Sequence, residues 1–312
     1  MDNYNLIEKI FERDINKKVL SINKCENLIF NINNVFKVET KEGLYIFKLY
    51  RSIGYPEKDK MIFVSKKLYE YKIPHAKIYS YNRNDNDLPN GYIIEEYLPG
   101  ITVDRCELNE LETSLIYKKL ALLMSDIHKI KLIKYGFIID SEPDCITFTE
   151  HIKNNFIYGN NEIQNVYTDA ELNVIKHTLI EILKPCDEIQ PCLCHIDIQL
   201  KNIVINNGSI TLIDWDDARS FPAIVDIARL TLLMELAYDN EQAEDKEKVA
   251  VYKKTFFDNY KSDGGLEIYK KLEPALHVWH GLVLLNFCAN GSLQFYKIKA
   301  NIDEKMRNDK RR

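Results

Sequence analysis

Two aspartates and an asparagine surround one short predicted β-hairpin, and this arrangement constrains the fold more than any other feature of the chain. The segment 194–218 reads CHIDIQLKNIVINNGSITLIDWDDA, with Asp197 and Asn202 before the hairpin and Asp214 after it. The Asn-Asn-Gly sequence at 206–208 is a turn signal between two apolar runs. Because a hairpin brings its two ends together, we expect the three polar side chains to converge.

The oxygen atoms of these side chains suit a magnesium ion carried by a nucleotide. Phosphoryl transfer needs metal ions and a lysine on the phosphates, and an acidic group that orients the attacking hydroxyl. Lys48, inside a predicted strand, is a candidate for the phosphate contact, although its position alone is equally typical of a solvated strand residue. The sequence has neither a P-loop motif nor the glycine fingerprint of dinucleotide-binding domains, which disfavours both folds.

The part of the chain before Leu98-Pro99-Gly100 is predicted to be a small mixed sheet with one crossing helix. Alternating apolar residues on either side of the Lys-Glu-Gly turn at 41–43 indicate an antiparallel hairpin. The predicted elements are helices at 4–13 and 57–71 and strands at 19–22, 34–40, 44–50, 77–81 and 92–97.

The remainder of the chain has mainly helical periodicity. Predicted helices cover 107–131, 147–157, 169–184, 222–239, 245–261 and 266–290, and strands at 203–205 and 210–213 interrupt them. The basic residues from Lys305 to Arg312 are predicted to form a frayed, solvated end. These patterns favour an α+β protein with a small sheet-containing region at 1–98 and a helical region at 99–312.

Composition excludes several classes of protein. A net charge of −5 and a pI of about 5.9 argue against a nucleic-acid partner held by bulk positive charge. No apolar run approaches the roughly 20 residues of a membrane span, and the N-terminal sequence lacks a signal-peptide core. Seven cysteines, an odd number in a long chain, disfavour a disulfide scaffold. We therefore expect a cytoplasmic protein with reduced thiols.

The pattern H-x-D-x-x-x-x-N, followed by a hairpin and I-D-W, resembles the catalytic core of the aminoglycoside phosphotransferase and choline kinase family. Four other segments of this chain also resemble segments of the family. They are YIFKLYR at 45–51, YIIEEYLPG at 92–100, LLMSDIH at 122–128 and the D-x-A motif at 226–228. The resemblance implies a bilobal protein-kinase-like fold with a small antiparallel-sheet N-lobe at 1–98, a hinge near 95–99 and a helical C-lobe at 99–312.

The resemblance also implies a role for each matching residue. Asp197 corresponds to the catalytic aspartate that orients the substrate hydroxyl and can accept its proton. Asn202 and Asp214 correspond to Mg²⁺ ligands, and Lys48 to the lysine on the phosphates. His195 corresponds to a position that is mainly architectural.

In the hinge, the resemblance implies that adenine is bound by the Glu96 carbonyl and the Leu98 N–H. The sequence departs from the family pattern at Ile196, where the family commonly has Gly or Asn, and in two further features. The segment 23–33 contains no glycine. The glutamate that usually pairs with the lysine would align near Met61, and the nearest substitute is Glu57, for which an exposed helix charge is the alternative interpretation.

These observations predict a small-molecule kinase that uses Mg²⁺ and ATP or GTP. The acceptor hydroxyl could belong to an aminoglycoside-type antibiotic or to a metabolite such as choline or homoserine. A protein kinase is disfavoured because Asp226 follows Asp214 by only twelve residues, which leaves little room for an activation segment. The alternative from another class is a non-catalytic, kinase-shaped binding or structural protein.

A cluster of acidic residues bears on the charge of the acceptor. A cationic acceptor would be favoured if these acids lay near Asp197, and a solvated loop between helices is the alternative. The cluster comprises Glu235, Asp239, Glu241, Glu244 and Asp245.

Overall fold

An antiparallel five-stranded sheet in the order β1-β2-β3-β5-β4 forms the N-terminal lobe of the computed structural model. The residues described are 3–25, 33–52, 54–83, 85, 88–157, 162–238, 242–262, 265–288 and 290–309. The strands of this lobe are β1 (Val19–Lys24), β2 (Asn34–Thr40), β3 (Gly43–Leu49), β4 (Ile78–Asn82) and β5 (Tyr92–Glu96). Its helices are α1 (Asn3–Ile15) and α2 (Lys60–Glu70). The predicted fold class is confirmed by this sheet together with the helical second lobe.

Apolar periodicity explains how α1 packs in this lobe. Leu6, Ile7 and Phe11 lie on one helix face and join a buried cluster with Phe36 and Phe47 of the sheet. The predicted helix at 4–13 and the predicted hairpin at 34–50 are thereby confirmed. Helix α2 begins at Lys60, three residues later than predicted. The predicted glycine-free loop falls largely outside the described residues, because 26–32 are not among them.

Seven helices account for most of the described C-terminal lobe. They are α3 (Glu110–Ile127), α4 (Phe148–Asn154), α5 (Asp169–Leu183), α6 (Ala223–Ala237), α7 (Ala243–Asn259), α8 (Leu266–Leu285) and α9 (Leu293–Asp309). Reciprocal capping boxes fix the starts of α3 and α5. The prediction of a frayed C-terminal end is wrong for residues 305–309, which belong to α9, and Lys305 forms an ion pair with Glu235 at 3.2 Å.

Two small sheets lie in the second lobe, and one of them contains the predicted hairpin. One contains β6 (Ile101–Thr102), β10 (Ile203–Asn206) and β11 (Ser209–Leu212), and the other contains β7 (Tyr135–Ile139), β8 (Glu142–Cys145), β9 (Cys192–Cys194) and β12 (Arg219–Phe221). At Gly100 the backbone has φ +136°, and a Cβ atom would lie 2.3 Å from the Ile205 carbonyl oxygen. Glycine therefore permits the segment after β5 to approach β10 closely.

The cysteines are reduced, as the sequence predicts, and the helices agree with the absence of a long apolar run. All seven cysteines are free, and five of them, including Cys192 and Cys194, are buried. None of the helices in the described part of the chain combines the length and apolarity that a bilayer crossing requires.

Candidate active site

The β10–β11 hairpin brings its two polar flanks together, as the sequence predicts. The Asn202 side-chain amide donates to the Asp197 carbonyl oxygen and to Asp197 Oδ2, both at 2.8 Å. The Ile213 N–H donates to the Asn202 carbonyl oxygen at 2.9 Å, so Asn202 lies beside the residue that precedes Asp214. The predicted convergence of Asp197, Asn202 and Asp214 is therefore confirmed.

Lys48 extends from β3 to the residues that follow this hairpin. Its Nζ lies 2.7 Å from Asp214 Oδ1 and 3.1 Å from Asp216 Oδ2, and its side chain is only 7% exposed. Burial alone would lower the pKa of Lys48, but the charges of Asp214 and Asp216 raise it well above its ordinary value. Lys48 is therefore a buried cation, and the alternative interpretation of a solvated strand residue is wrong.

Asp216 is a partner of Lys48 that the sequence analysis did not identify. Glu57 does not contact Lys48; it accepts a hydrogen bond from the buried Lys60 at 2.8 Å. Lys60 in turn donates to the Asp216 carbonyl oxygen at 2.6 Å. Glu57 is therefore not the substitute partner of Lys48. It is not an exposed helix charge either, because it lies before α2 and pairs with Lys60, which binds the backbone at Asp216.

The ionisation of the two aspartates around Lys48 differs. Burial would raise the pKa of Asp214, but the adjacent Lys48 charge lowers it below its ordinary value. For Asp216, burial outweighs Lys48 and, with the nearby Asp214 and Glu95 charges, raises the pKa to about 7. Asp214 is therefore the carboxylate that stays ionised at neutral pH. Its backbone has φ 65°, in the left-handed region.

Asp226 at the start of α6 fixes the backbone of the loop that carries Asp197. Its carboxylate accepts the N–H groups of His195 and Ile196 at 2.9 and 2.8 Å. His128 Nε2 lies 3.1 Å from the same carboxylate. Ile196 has φ 67°, a conformation that costs a β-branched residue about 1–3 kcal/mol. The bonds to Asp226 hold this strained turn in place.

His195 links the two flanks of the hairpin. Its Nε2–H donates to the Ile213 carbonyl oxygen at 3.0 Å, and its ring centroid lies 4.5 Å from that of Trp215. The side chain is completely buried. This is the architectural position that the sequence led us to expect.

A cavity of about 390 Å³ lies between the five-stranded sheet and the hairpin. Lys48, Asn202 and Asp214 line its polar part. Glu96, the last residue of β5, and Leu98, between β5 and β6, also line it. The apolar walls include Val35, Ile46, Leu68, Val204 and Leu212. Its volume lies in the range of sites that bind small molecules and cofactors.

The sequence model of the phosphotransferase enzyme family matches residues 31–255, which is more than half of the 312-residue chain. The chain belongs to this phosphotransferase family. The matched range contains Lys48, Asp197, Asn202 and Asp214. The sequence matches none of the curated proteins with which it was compared.

Solved structures share the fold of this phosphotransferase at low sequence identity. Aminoglycoside phosphotransferase APH(4)-Ia has a TM-score of 0.66 at 16% identity, with 98% of each chain covered. A putative fructosamine-3-kinase from Thermobifida fusca has a TM-score of 0.65 at 11% identity and covers 97% of this chain and 99% of its own. Plasmodium vivax ethanolamine kinase has a TM-score of 0.62 at 16% identity, with 97% and 89% covered. These similarities establish the fold.

The donor atoms of this phosphotransferase fit a magnesium ion. Asn202 uses Nδ2 to bind Asp197, which leaves its Oδ1 as the atom able to act as a ligand. Asp214 remains ionised, and Lys48 engages its Oδ1, so Oδ2 can face a cation. Amide and carboxylate oxygens are the donors that Mg²⁺ prefers.

Proposed function

We propose that this phosphotransferase is a small-molecule kinase that transfers the terminal phosphoryl group of a Mg²⁺-bound nucleoside triphosphate, ATP or GTP, to a substrate hydroxyl. The observation that carries the proposal is that Lys48, Asn202 and Asp214 line one cavity while Asn202 also binds Asp197. A structure of a thermostable APH(4)-Ia mutant is a ternary complex with AMP-PNP and hygromycin B. That complex pairs a nucleotide analogue with a small molecule in the same fold.

The cavity is the proposed nucleotide site, and the hinge near 95–99 contributes to it. Adenine would be bound by the Glu96 carbonyl and the Leu98 N–H, between the apolar walls of the cavity. The N-lobe at 1–98 would thus hold most of the nucleotide. The acceptor would bind in the C-lobe at 99–312, since the hydroxyl must approach the terminal phosphate in line with the leaving oxygen.

Each polar residue has a distinct task in this mechanism. Lys48 binds the phosphates, and Asp216 holds Lys48 in place through its 3.1 Å contact. Asn202 and Asp214 would hold Mg²⁺, which when bound neutralises charge on the phosphate oxygens. Asp197 orients the acceptor hydroxyl and accepts its proton as the new O–P bond forms. Asn202 orients the Asp197 carboxylate for this step.

The proposed acceptors are an aminoglycoside-type antibiotic or a hydroxylated metabolite of the choline or homoserine type. The test is a panel of these acceptors with labelled ATP and GTP, using the wild type and Asp197→Asn. We expect Asp197→Asn to reduce transfer by about 10²–10⁴-fold, the usual contribution of a general base, while AMP-PNP still binds. Asp126→Asn, on the exposed face of α3, is the matched control.

Transfer at the wild-type rate by Asp197→Asn would refute the role of this carboxylate. Nucleotide binding without transfer to any acceptor would favour a non-catalytic, kinase-shaped protein.

A further inference from the structure

A buried arginine lies beside the proposed catalytic carboxylate. Arg229 is on α6, one turn after Asp226, and its side chain is only 9% exposed. Its Nη2 is 3.8 Å from Asp197 Oδ1, and its Nη1 donates to the His280 carbonyl oxygen at 3.4 Å. The guanidinium of Arg229 therefore lies next to the carboxylate that the acceptor hydroxyl would contact.

The hydrogen-bonding capacity of Arg229 is largely unused by the described residues. A guanidinium has five N–H donors. Its Nε has no hydrogen-bond partner in the described part of the chain, and the 3.8 Å separation from Asp197 is too long for a hydrogen bond. Because buried polar groups are nearly always paired, a guanidinium in this state beside a reacting carboxylate indicates a site for a ligand group.

The described members of the acidic cluster form ion pairs with lysines. Glu235, the first member of the acidic cluster, lies 2.7 Å from Lys253 and 3.2 Å from Lys305. Glu273 lies 3.0 Å from the same Lys253.

Of the other members, Glu244 and Asp245 both contact Lys248 on α7, and Asp239 and Glu241 lie outside the described residues. The described members of the cluster are therefore paired with lysines, whereas the charged side chain within 4 Å of Asp197 is the cation Arg229.

We infer that Arg229 binds an anionic group of the acceptor, a carboxylate or a phosphate, while the same molecule presents its hydroxyl to Asp197. This inference rests on the proposed kinase function and names its acceptor class. Hydrogen bonds of about 2.7–2.9 Å at both ends limit the distance between the hydroxyl and the anionic group to about 9 Å, given the 3.8 Å between Arg229 and Asp197. The acceptor is then a small hydroxy acid or hydroxy phosphate; among the proposed acceptors this favours the homoserine type over choline and aminoglycosides, which carry no anionic group.

The reaction leaves the anionic group unchanged. The hydroxyl oxygen forms a bond to the terminal phosphorus, the bond from that phosphorus to the bridging oxygen breaks, and the hydroxyl proton passes to Asp197. Arg229 contributes by fixing the orientation of the acceptor, since its planar fork matches carboxylate and phosphate geometry. It also repels an ammonium group at the same place.

The test compares four small ligands of different charge in the presence of Mg²⁺ and AMP-PNP. Glycerate carries a carboxylate, glycerol 3-phosphate a phosphate, glycerol no charge and ethanolamine a positive charge. Binding is measured by saturation-transfer NMR, and transfer by labelled ATP, for the wild type, Arg229→Gln and Arg229→Lys. Arg307→Gln, at an exposed arginine of α9, is the matched control.

We expect the wild type to bind at least one anion and to prefer it to glycerol and ethanolamine. Arg229→Gln should weaken anion binding by about 10- to 100-fold, the effect of losing a charged hydrogen bond. Arg229→Lys should retain part of the affinity, and Arg307→Gln all of it. Which anion binds distinguishes a carboxylate from a phosphate acceptor.

Preference of the wild type for ethanolamine or glycerol, absence of anion binding, or unchanged anion affinity in Arg229→Gln would overturn the inference. If the wild type binds Mg²⁺ and AMP-PNP but shows one of these outcomes, only the inference about Arg229 fails, and the proposed kinase function stands. A wild type that does not bind Mg²⁺ and AMP-PNP would refute the kinase proposal itself. If Arg229→Gln does not fold, the ligand preference of the wild type and the affinity of Arg229→Lys decide the question.

Discussion

Among single residues, Asp216 has the clearest untested role, because it is the second carboxylate on the buried Lys48. In the proposed mechanism Lys48 binds the phosphates, and its contact with Asp216 would then hold the lysine side chain in position. We expect Asp216→Asn to lower kcat/KM for the nucleotide by about 10- to 100-fold, the effect of losing a hydrogen bond to a charged group. Steady-state kinetics over a range of ATP concentrations checks this.

Glu57→Gln provides the comparison, since Glu57 contacts Lys60 and not Lys48. It should lower the thermal midpoint of unfolding more than it lowers kcat/KM. Equal kinetic losses in both variants would contradict the assignment of Asp216 as the partner of Lys48.

Residues that share one local motif could be predicted, and residues that meet only through the fold could not. Asp197, Asn202 and Asp214 flank a single hairpin, so their convergence follows from local geometry. The partner of Lys48 was sought on the helix after β3, whereas the structure supplies it from Asp216, far along the chain. The contact between Arg229 and Asp197 likewise depends on how α6 packs, which no spacing in the sequence reveals.

At the scale of elements, Asp226 joins α3, α6 and the loop after β9 through one buried carboxylate. Burial would raise the pKa of Asp226, but the hydrogen bond and charge of His128 lower it below its ordinary value. Its stabilising contribution is therefore present at neutral pH and is lost as the pH falls through the lowered pKa. We expect Asp226→Ala to reduce the free energy of unfolding by about 3–5 kcal/mol at pH 7.

Urea denaturation at several pH values measures this effect. The matched control is Asp126→Ala, which removes an exposed i,i+3 pair with Lys129 at 2.6 Å and should cost less than about 1 kcal/mol. The difference between Asp226→Ala and the wild type should shrink in acid. Similar losses in the two variants, or a difference independent of pH, would count against this account.

Long elements were predictable because their periodicity extends over several turns or strand repeats. Helices α3 to α8 and the strands of the five-stranded sheet agree with the prediction, apart from shifts at their ends. The strands β7, β8, β9 and β12 were not predicted. Strand β12 pairs with β7 and β9, which lie well before it in the chain, so this pairing leaves no local pattern in the sequence. Helix α9 was missed because its basic residues suggested a solvated end, whereas Lys305 is paired with Glu235.

At the scale of the whole molecule, the cavity is lined by residues from both lobes. Lys48, Glu96 and Leu98 come from the N-terminal part of the chain, and Asn202 and Asp214 come from the C-terminal part. The family pattern anticipated this division, since the lysine strand precedes the hinge and the catalytic loop follows it. The class of acceptor could not be predicted, because it depends on side chains such as Arg229 that meet Asp197 only in the folded chain.

The central claim is that these residues form a magnesium-dependent nucleotide site, and calorimetric titration with AMP-PNP tests it most directly. The titration is done with and without Mg²⁺ for the wild type, Asp214→Ala and the control Asp126→Ala. We predict that the wild type and the control bind AMP-PNP more tightly with Mg²⁺, and that Asp214→Ala loses this dependence because its main metal ligand is gone. Unchanged Mg²⁺-dependent affinity in Asp214→Ala, or no nucleotide binding by the wild type, would contradict the account.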